Sequence, residues 1–343
     1  NRSGRPMTPD QMAVALTYHD DFSLEDALDD ILGKLEPYGF GDVSRNIVMQ
    51  SLLHGAGRNF TKPNFDNLRE VATRDALKQS VESVTNSLVL AAKFLNEVIG
   101  FHTGRLLPYA FQLLLLGAFY RASHRPDVEL DDDTRLALTR WFWATSFEGW
   151  FASANSSDIE RAVAHMEAYA GSDRSTKSLA AFEAFFIDRP LRPFPKTFDR
   201  RSARIRAMLL VQIARGQLLD PITGAEIDGS ELMADPDRRD LPYVFRSTSV
   251  RASRSPANRI LLPRSHGSAV RDILVEHDEA AGALSTHAIS ARAIDALKSR
   301  DIDAFVEARE ADLVRHELAF LAQYGLVIAA DAERSEQDID IDD

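Results

Sequence analysis

The sequence predicts a mainly α-helical protein, with a helical domain followed by a smaller α+β domain. Three observations lead there. Apolar residues recur at helical spacing through the first half of the chain. Capping residues stand ahead of those runs. Between residues 217 and 262, Gly, Pro and Asp become frequent and the apolar runs shrink to strand-sized pieces.

In chain order, Thr8 is placed to cap a helix over Pro9–His19, with Pro9 at its first position. Phe22, Leu24, Leu28, Ile31, Leu32 and Leu35 mark the next helix, which Pro37 and Gly39 end. Val43–His54 follows, closed by Gly55 and Gly57. One or two helices are expected over Phe65–Ile99. The apolar run Leu106–Tyr120 is 15 residues long. A bilayer span needs about 20, so the run predicts a buried core helix. Three successive Asp residues, Asp131–Asp133, favour the N-terminal pole of a helix over Thr134–Phe151. Ser156–Ala170 is the next, with Ser156 or Ser157 as its cap. Helices are further expected over Ser178–Ile187, Arg201–Gly216, Ala269–Glu276, Ser290–Leu297 and Ile302–Tyr324, with strands at Tyr243–Phe245 and Ile260–Leu262.

The division expected from this pattern is residues 1–20 as the end of an upstream domain, 21–175 as the helical domain, 176–330 as the C-terminal domain, and 331–343 as a disordered acidic tail. The opening NRSGRPMTP reads like mid-domain sequence, so the chain is expected to be a piece of a longer protein. Cysteine is absent, which removes disulfides, thiolate metal sites and cysteine nucleophiles and fits a reducing compartment. The expectation is a soluble, cytoplasmic protein with no membrane partner.

Charge is uneven. The net charge of −12 argues against a protein that coats nucleic acid over its whole surface. Yet Arg189–Arg206 holds seven basic residues and one acid, and Arg238–Arg271 holds eight arginines and one acid, Asp240. A local basic patch can grip phosphate despite an acidic total. The competing reading is that these arginines pair with acids elsewhere in the fold. Phosphate-loop, nucleophile-elbow and HExxH motifs are all missing, and no two histidines share a helix face at metal-ligand spacing. The aromatic run Trp141, Phe142, Trp143, Phe147, Trp150 and Phe151 suits core packing better than base stacking, although its polar members leave room for a partner along one edge. His287 is expected to cap or pack, and Arg309 to be solvated or internally paired.

The stretch Leu218–Gly267 combines a DPITG turn, an acidic loop, DLPYVFR, a basic loop and SPANRILLP. In that order it resembles the HNH-type (ββα-metal) module at the C-terminus of a family of bacterial defence proteins. These carry a ParB/sulfiredoxin-like N-terminal domain and a helical middle, and include the GmrSD-type modification-dependent restriction enzymes. NRSGRPMTPDQM is similar to the segment closing the ParB-like domain. RLLPYAFQLLLL and LTRWFWATSFEGWFASANSSDI resemble the helical middle, and LSTHAIS with DIDAFVEARE the C-terminal end. The family's DGQQR-like motif belongs upstream and is absent from this chain.

The resemblance implies a metal-dependent endonuclease that uses Mg²⁺ or another divalent ion and acts on DNA; a homo-oligomer is a separate expectation. An HNH site needs a His general base on its first strand, a mid-loop Asn, and a further His or Asn with acids around the metal. Family members read like HIFPK at that strand. Here Tyr243-Val-Phe245-Arg246 stands in the same place, so Tyr243 occupies the position of the base. A phenol holds its proton at neutral pH and is a poor base. Asn258 matches the Asn, His266 lies near the third position, and Asp240 is the candidate metal acid. The expectation is therefore a degenerate nuclease centre that still holds DNA through Arg246, Arg251, Arg254 and Arg259. Two alternatives remain open: a helical protein-interaction module with no nucleic-acid role, and an active nuclease with a remodelled centre.

Overall fold

The computed structural model describes residues 11–14, 22–62, 70–123, 130–172, 175–234, 241–246, 249–263 and 269–328. Of the expected Pro9–His19 helix only residues 11–14 are described, and they are helical. Asp240, His266 and the tail 331–343 lie outside the described residues.

Helix α1 (Leu24–Leu35) starts where the Ser23 hydroxyl accepts the Asp26 N–H at 3.2 Å, and it buries Leu24, Ala27, Leu28, Ile31 and Leu35 on one face. A 3₁₀ turn over Glu36–Tyr38 carries Pro37, and the chain then reverses at Gly39 with φ +83°. Gly39 is needed there twice over. Its φ suits glycine, and a Cβ would sit 1.8 Å from the His102 carbonyl oxygen. Helix α2 spans Arg45–Gly55. Helix α3 (Val71–Phe94) runs on into a π-turn over Leu95–Ile99 that ends at Gly100, φ +93°.

Helix α4 (Ala110–Ser123) is the long apolar run, and Gln112 through Tyr120 are all buried in it. Among the described residues no helix is long and apolar enough to cross a membrane. Gln112, fully buried, fastens α4 to α5 (Asp132–Glu148). Its Oε1 accepts the Tyr109 N–H, and its Nε2 donates to the Phe142 carbonyl, Thr145 Oγ1 and Ser146 Oγ at 3.0–3.2 Å. Asp131 caps α5 by accepting the Thr134 N–H at 2.8 Å. Every residue from Trp141 to Glu148 is buried, including Thr145 and Ser146, so this stretch is core and presents no edge to a partner or a base.

Gly149, φ +78°, breaks α5 from the short α6 (Trp150–Ser153). Helix α7 (Ser156–Ala170) has Asn155 as its cap rather than Ser156 or Ser157. The Asn155 side chain accepts the Ser157 and Asp158 N–H groups, while Asp158 reaches back to the Asn155 N–H, completing a capping box. After α8 (Thr176–Phe186) the proline-bearing strap 187–202 crosses the molecule, with Leu191 bridging Ile328.

Helix α9 (Ala203–Ala214) packs on both α5 and the final helix. The remainder is short elements: β1 (Leu218–Leu219) and β2 (Glu226–Ile227), then α10 (Gly229–Ala234), α11 (Val250–Arg254), α12 (Val270–Glu276), α13 (Ala281–Thr286), α14 (Ala291–Ser299) and α15 (Ile302–Ala322). One continuous apolar core runs from Ala13 to Leu326.

The protein is thus mainly α, with a two-stranded antiparallel sheet pairing Leu218 with Ile227 and Leu219 with Glu226. The strands expected at Tyr243–Phe245 and Ile260–Leu262 are not strands. They meet in a single antiparallel bridge between Tyr243 and Arg259.

Candidate anion-binding cleft

The arginine-rich segment is shaped by short-range hydrogen bonding before any ligand is considered. The Asp220 side chain closes the DPITG turn by accepting the N–H groups of Ile222 and Thr223. Asp228 does the same at the start of α10, for Ser230 and Glu231. Residues 241–243 then lie beside 258–260 and the chain bends at Val244–Phe245, with Val244 N–H donating to the Asn258 carbonyl at 3.0 Å and Ile260 N–H to the Pro242 carbonyl at 3.3 Å.

Asn258 is fully buried and fully engaged. Its Oδ1 accepts the Phe245 N–H at 2.8 Å, and its Nδ2 donates to the carbonyls of Phe245 (3.0 Å) and Ala252 (2.9 Å). Both amide hydrogens are used and the group has no exposed atom to offer a metal or a water. The structure therefore gives Asn258 a different task from the catalytic one implied by the resemblance: it clamps the two sides of the loop together. Arg309 on α15, also fully buried, braces the same place from below. It donates to the carbonyls of Ala257 and Arg259 on either side of Asn258, and to the His287 carbonyl at 3.2–3.3 Å. Burial pushes the Arg309 guanidinium down to about 9, with Asp312 opposing.

His287 is a packing residue. Its Nε2 lies 2.8 Å from the Leu219 carbonyl and so must donate to it. Burial pushes it down to about 4.

Above this floor opens a cleft of about 800 Å³. Its polar wall is made by Tyr243, Arg246, Arg259, Arg271, Asp272 and Arg300. Tyr243 is 37% exposed. The Arg259 guanidinium carbon lies 3.3 Å from the Tyr243 ring centroid and 5.1 Å from that of Phe198, and Arg259 also donates to the Leu241 carbonyl. Burial lowers the Arg259 pKa, with Tyr243 opposing. Arg271 donates to the Leu297 carbonyl at 3.0 Å and pairs with Asp272 at 2.6 Å. Arg246 and Arg300 are exposed, and neither has an ion-pair partner among the described residues.

Of the sequence-predicted residues, the structure brings Tyr243, Arg246 and Arg259 together on one wall. Arg251 and Arg254 are exposed on α11 and do not line the cleft. Asp240 and His266 lie outside the described residues. The only carboxylate among the described lining is already paired, and no cluster of three metal-ligating side chains occurs among the described residues. With Asn258 fully occupied, the described residues do not fit a divalent-ion centre.

Sequence reasoning missed Arg300 and gave Arg271 no role. Arg300 sits 29 residues beyond Arg271, outside the basic segment. It did leave a signal: α14 ends in Ser299-Arg300-Asp301 with no glycine where a helix commonly closes. Arg300 takes the left-handed conformation itself, φ +58°.

The earlier basic stretch is different. Arg204 pairs with Glu317, Arg201 with Asp199, and Arg206 donates to the Leu107 and Arg200 carbonyls. Arg189 lies over the Trp150 ring and 3.6 Å from Glu148, and Arg192 donates to the Gly149 carbonyl. These arginines are committed to the fold.

A wall of guanidinium groups with one carboxylate, Asp272, among the described lining is suited to hold phosphate, because the planar fork matches paired oxygens. No family model and no curated protein matches the sequence.

Proposed function

We propose that the chain binds DNA through this cleft, as the helical and C-terminal part of a GmrSD-like restriction or phage-defence protein whose HNH-like nuclease centre is degenerate. The observation that carries the reading is the convergence of the exposed Arg246 and Arg300 with Arg259 and Arg271 on one cleft. What supports the module suggested by the sequence is its order, a Tyr243–Arg259 bridge followed by α12. Tyr243 in the position of a general base favours gripping over cutting.

The test is binding to a fluorescent DNA duplex across a salt series. Affinity should fall linearly on a log–log scale, by about 0.9 per phosphate neutralised. Arg246→Gln and Arg300→Gln should each flatten that slope. Absence of binding at low salt removes the proposal. The interaction-module alternative draws no support from Trp141 to Glu148, which are all buried.

A further inference from the structure

We infer that the cleft takes one unpaired nucleotide of the DNA, with its base laid on Tyr243 and its phosphate held by Arg246 and Arg300. This rests on the DNA-binding reading above and goes beyond it by naming what enters the cleft. Three features point this way.

The first is size and chemistry together. The cleft holds about 800 Å³, within the range of small-molecule sites. A paired duplex is convex and would meet only the rim of such a recess. Behind the arginines the wall is apolar, formed by Leu241, Val244, Leu262, Ile273 and Ile302. Phosphate contacts need no apolar wall, whereas a base does.

The second is the state of the Tyr243 ring. Arg259 occupies one face at 3.3 Å, yet the residue remains 37% exposed within the cleft. That exposure gives a flat group in the cleft access to the Tyr243 side chain. Stacking on an aromatic ring tolerates every base, because each presents a π-face. Arg259 and Tyr243 face each other across the one bridge between the two segments, and Asn258 and Arg309 hold that bridge from beneath.

The third is Arg300. It closes α14 in the left-handed conformation, with Arg300 N–H turned back to the Leu297 carbonyl and Asp301 N–H to the Ala296 carbonyl. The helix end thereby sets a guanidinium on the cleft wall with no ion-pair partner among the described residues.

Extruding a base from a paired duplex costs free energy, and a nucleotide that is already unpaired avoids that cost. The experiment therefore compares three fluorescent probes at one salt concentration: a fully paired duplex, the same duplex with a single bulged nucleotide, and that bulge made abasic. The bulged duplex should bind about tenfold tighter than the other two. Tyr243→Ala should erase that gain without changing the salt slope, and Tyr243→Phe should keep it. Equal affinity for the bulged and paired duplexes overturns the single-nucleotide inference and leaves the DNA-binding reading standing, as does a gain that survives the abasic probe or Tyr243→Ala. Failure of all three probes to bind at low salt overturns both.

Discussion

Arg204 on α9 and Glu317 on α15 form a two-pronged ion pair, with Nη1–Oε1 at 2.9 Å and Nη2–Oε2 at 2.6 Å, and both side chains are at most 4% exposed. The Arg204 Nε donates to the Pro193 carbonyl, and the guanidinium lies over the Phe147 ring. The pair therefore joins the strap, α5, α9 and α15 at one point. Removing a single partner leaves a buried charge unmatched. Glu317→Gln should lower the unfolding free energy by about 3–5 kcal/mol, read from urea denaturation. Replacing both, as Arg204→Met with Glu317→Leu, should cost much less than the sum of the single changes.

Asn258 should behave as a structural residue. Asn258→Ala strands the Phe245 N–H and two carbonyls in the core, at about 1–3 kcal/mol for each group left unpaired. A fall in Tm with parallel loss of DNA binding is expected. Arg246→Gln should reduce binding with Tm unchanged, since that side chain is exposed. Unchanged stability in Asn258→Ala would contradict the clamp.

Arg300 sets stability against binding. Its left-handed backbone costs about 1 kcal/mol that glycine would not incur. Arg300→Gly should therefore raise Tm by a few degrees while weakening binding to the paired duplex. A variant that is less stable than the parent would show that the side chain supports the fold.

Glu148 gives a pH signature. Its side chain is 1% exposed, neither oxygen has a hydrogen bond among the described residues, and it ends α5, where the helix dipole disfavours a negative charge. Burial pushes it up to about 8 from an ordinary 4.5, with Arg189 and Arg192 opposing. The folded state thus holds a proton that the unfolded state has released across this window. Stability from this group is complete below pH 4.5 and is lost as pH rises toward 8, at up to about 1.4 kcal/mol per pH unit. Glu148→Gln should remove that slope. Chemical denaturation of both proteins at several pH values reads it, and parallel curves would refute the assignment.

Much of the helical architecture was legible because caps and apolar spacing are local. Ser156–Ala170 matches its expected bounds, and the Gly39 stop follows from one residue. The strands at 243–245 and 260–262 were misread for a reason spacing cannot carry. The Asn258 side chain takes both the N–H and the carbonyl of Phe245, the groups a ladder would have used. The fate of the arginines was equally hidden. Arg204 finds its acid 113 residues away, whereas Arg246 finds none among the described residues, and nothing in their neighbouring sequence distinguishes them. Part of the candidate site was visible in Tyr243, Arg246 and Arg259. Arg300 joins them only because α14 delivers its end to the same wall.

Arg309 contributes no atom to the cleft wall, yet its guanidinium holds the carbonyls of Ala257 and Arg259 and so fixes the bridge on which Tyr243 stands. A chain shortened to end before α15 would keep all four cleft arginines and still lose their arrangement. Deletion mapping would then assign the binding function to the final helix, when that helix serves as the foundation for residues some 50 positions upstream.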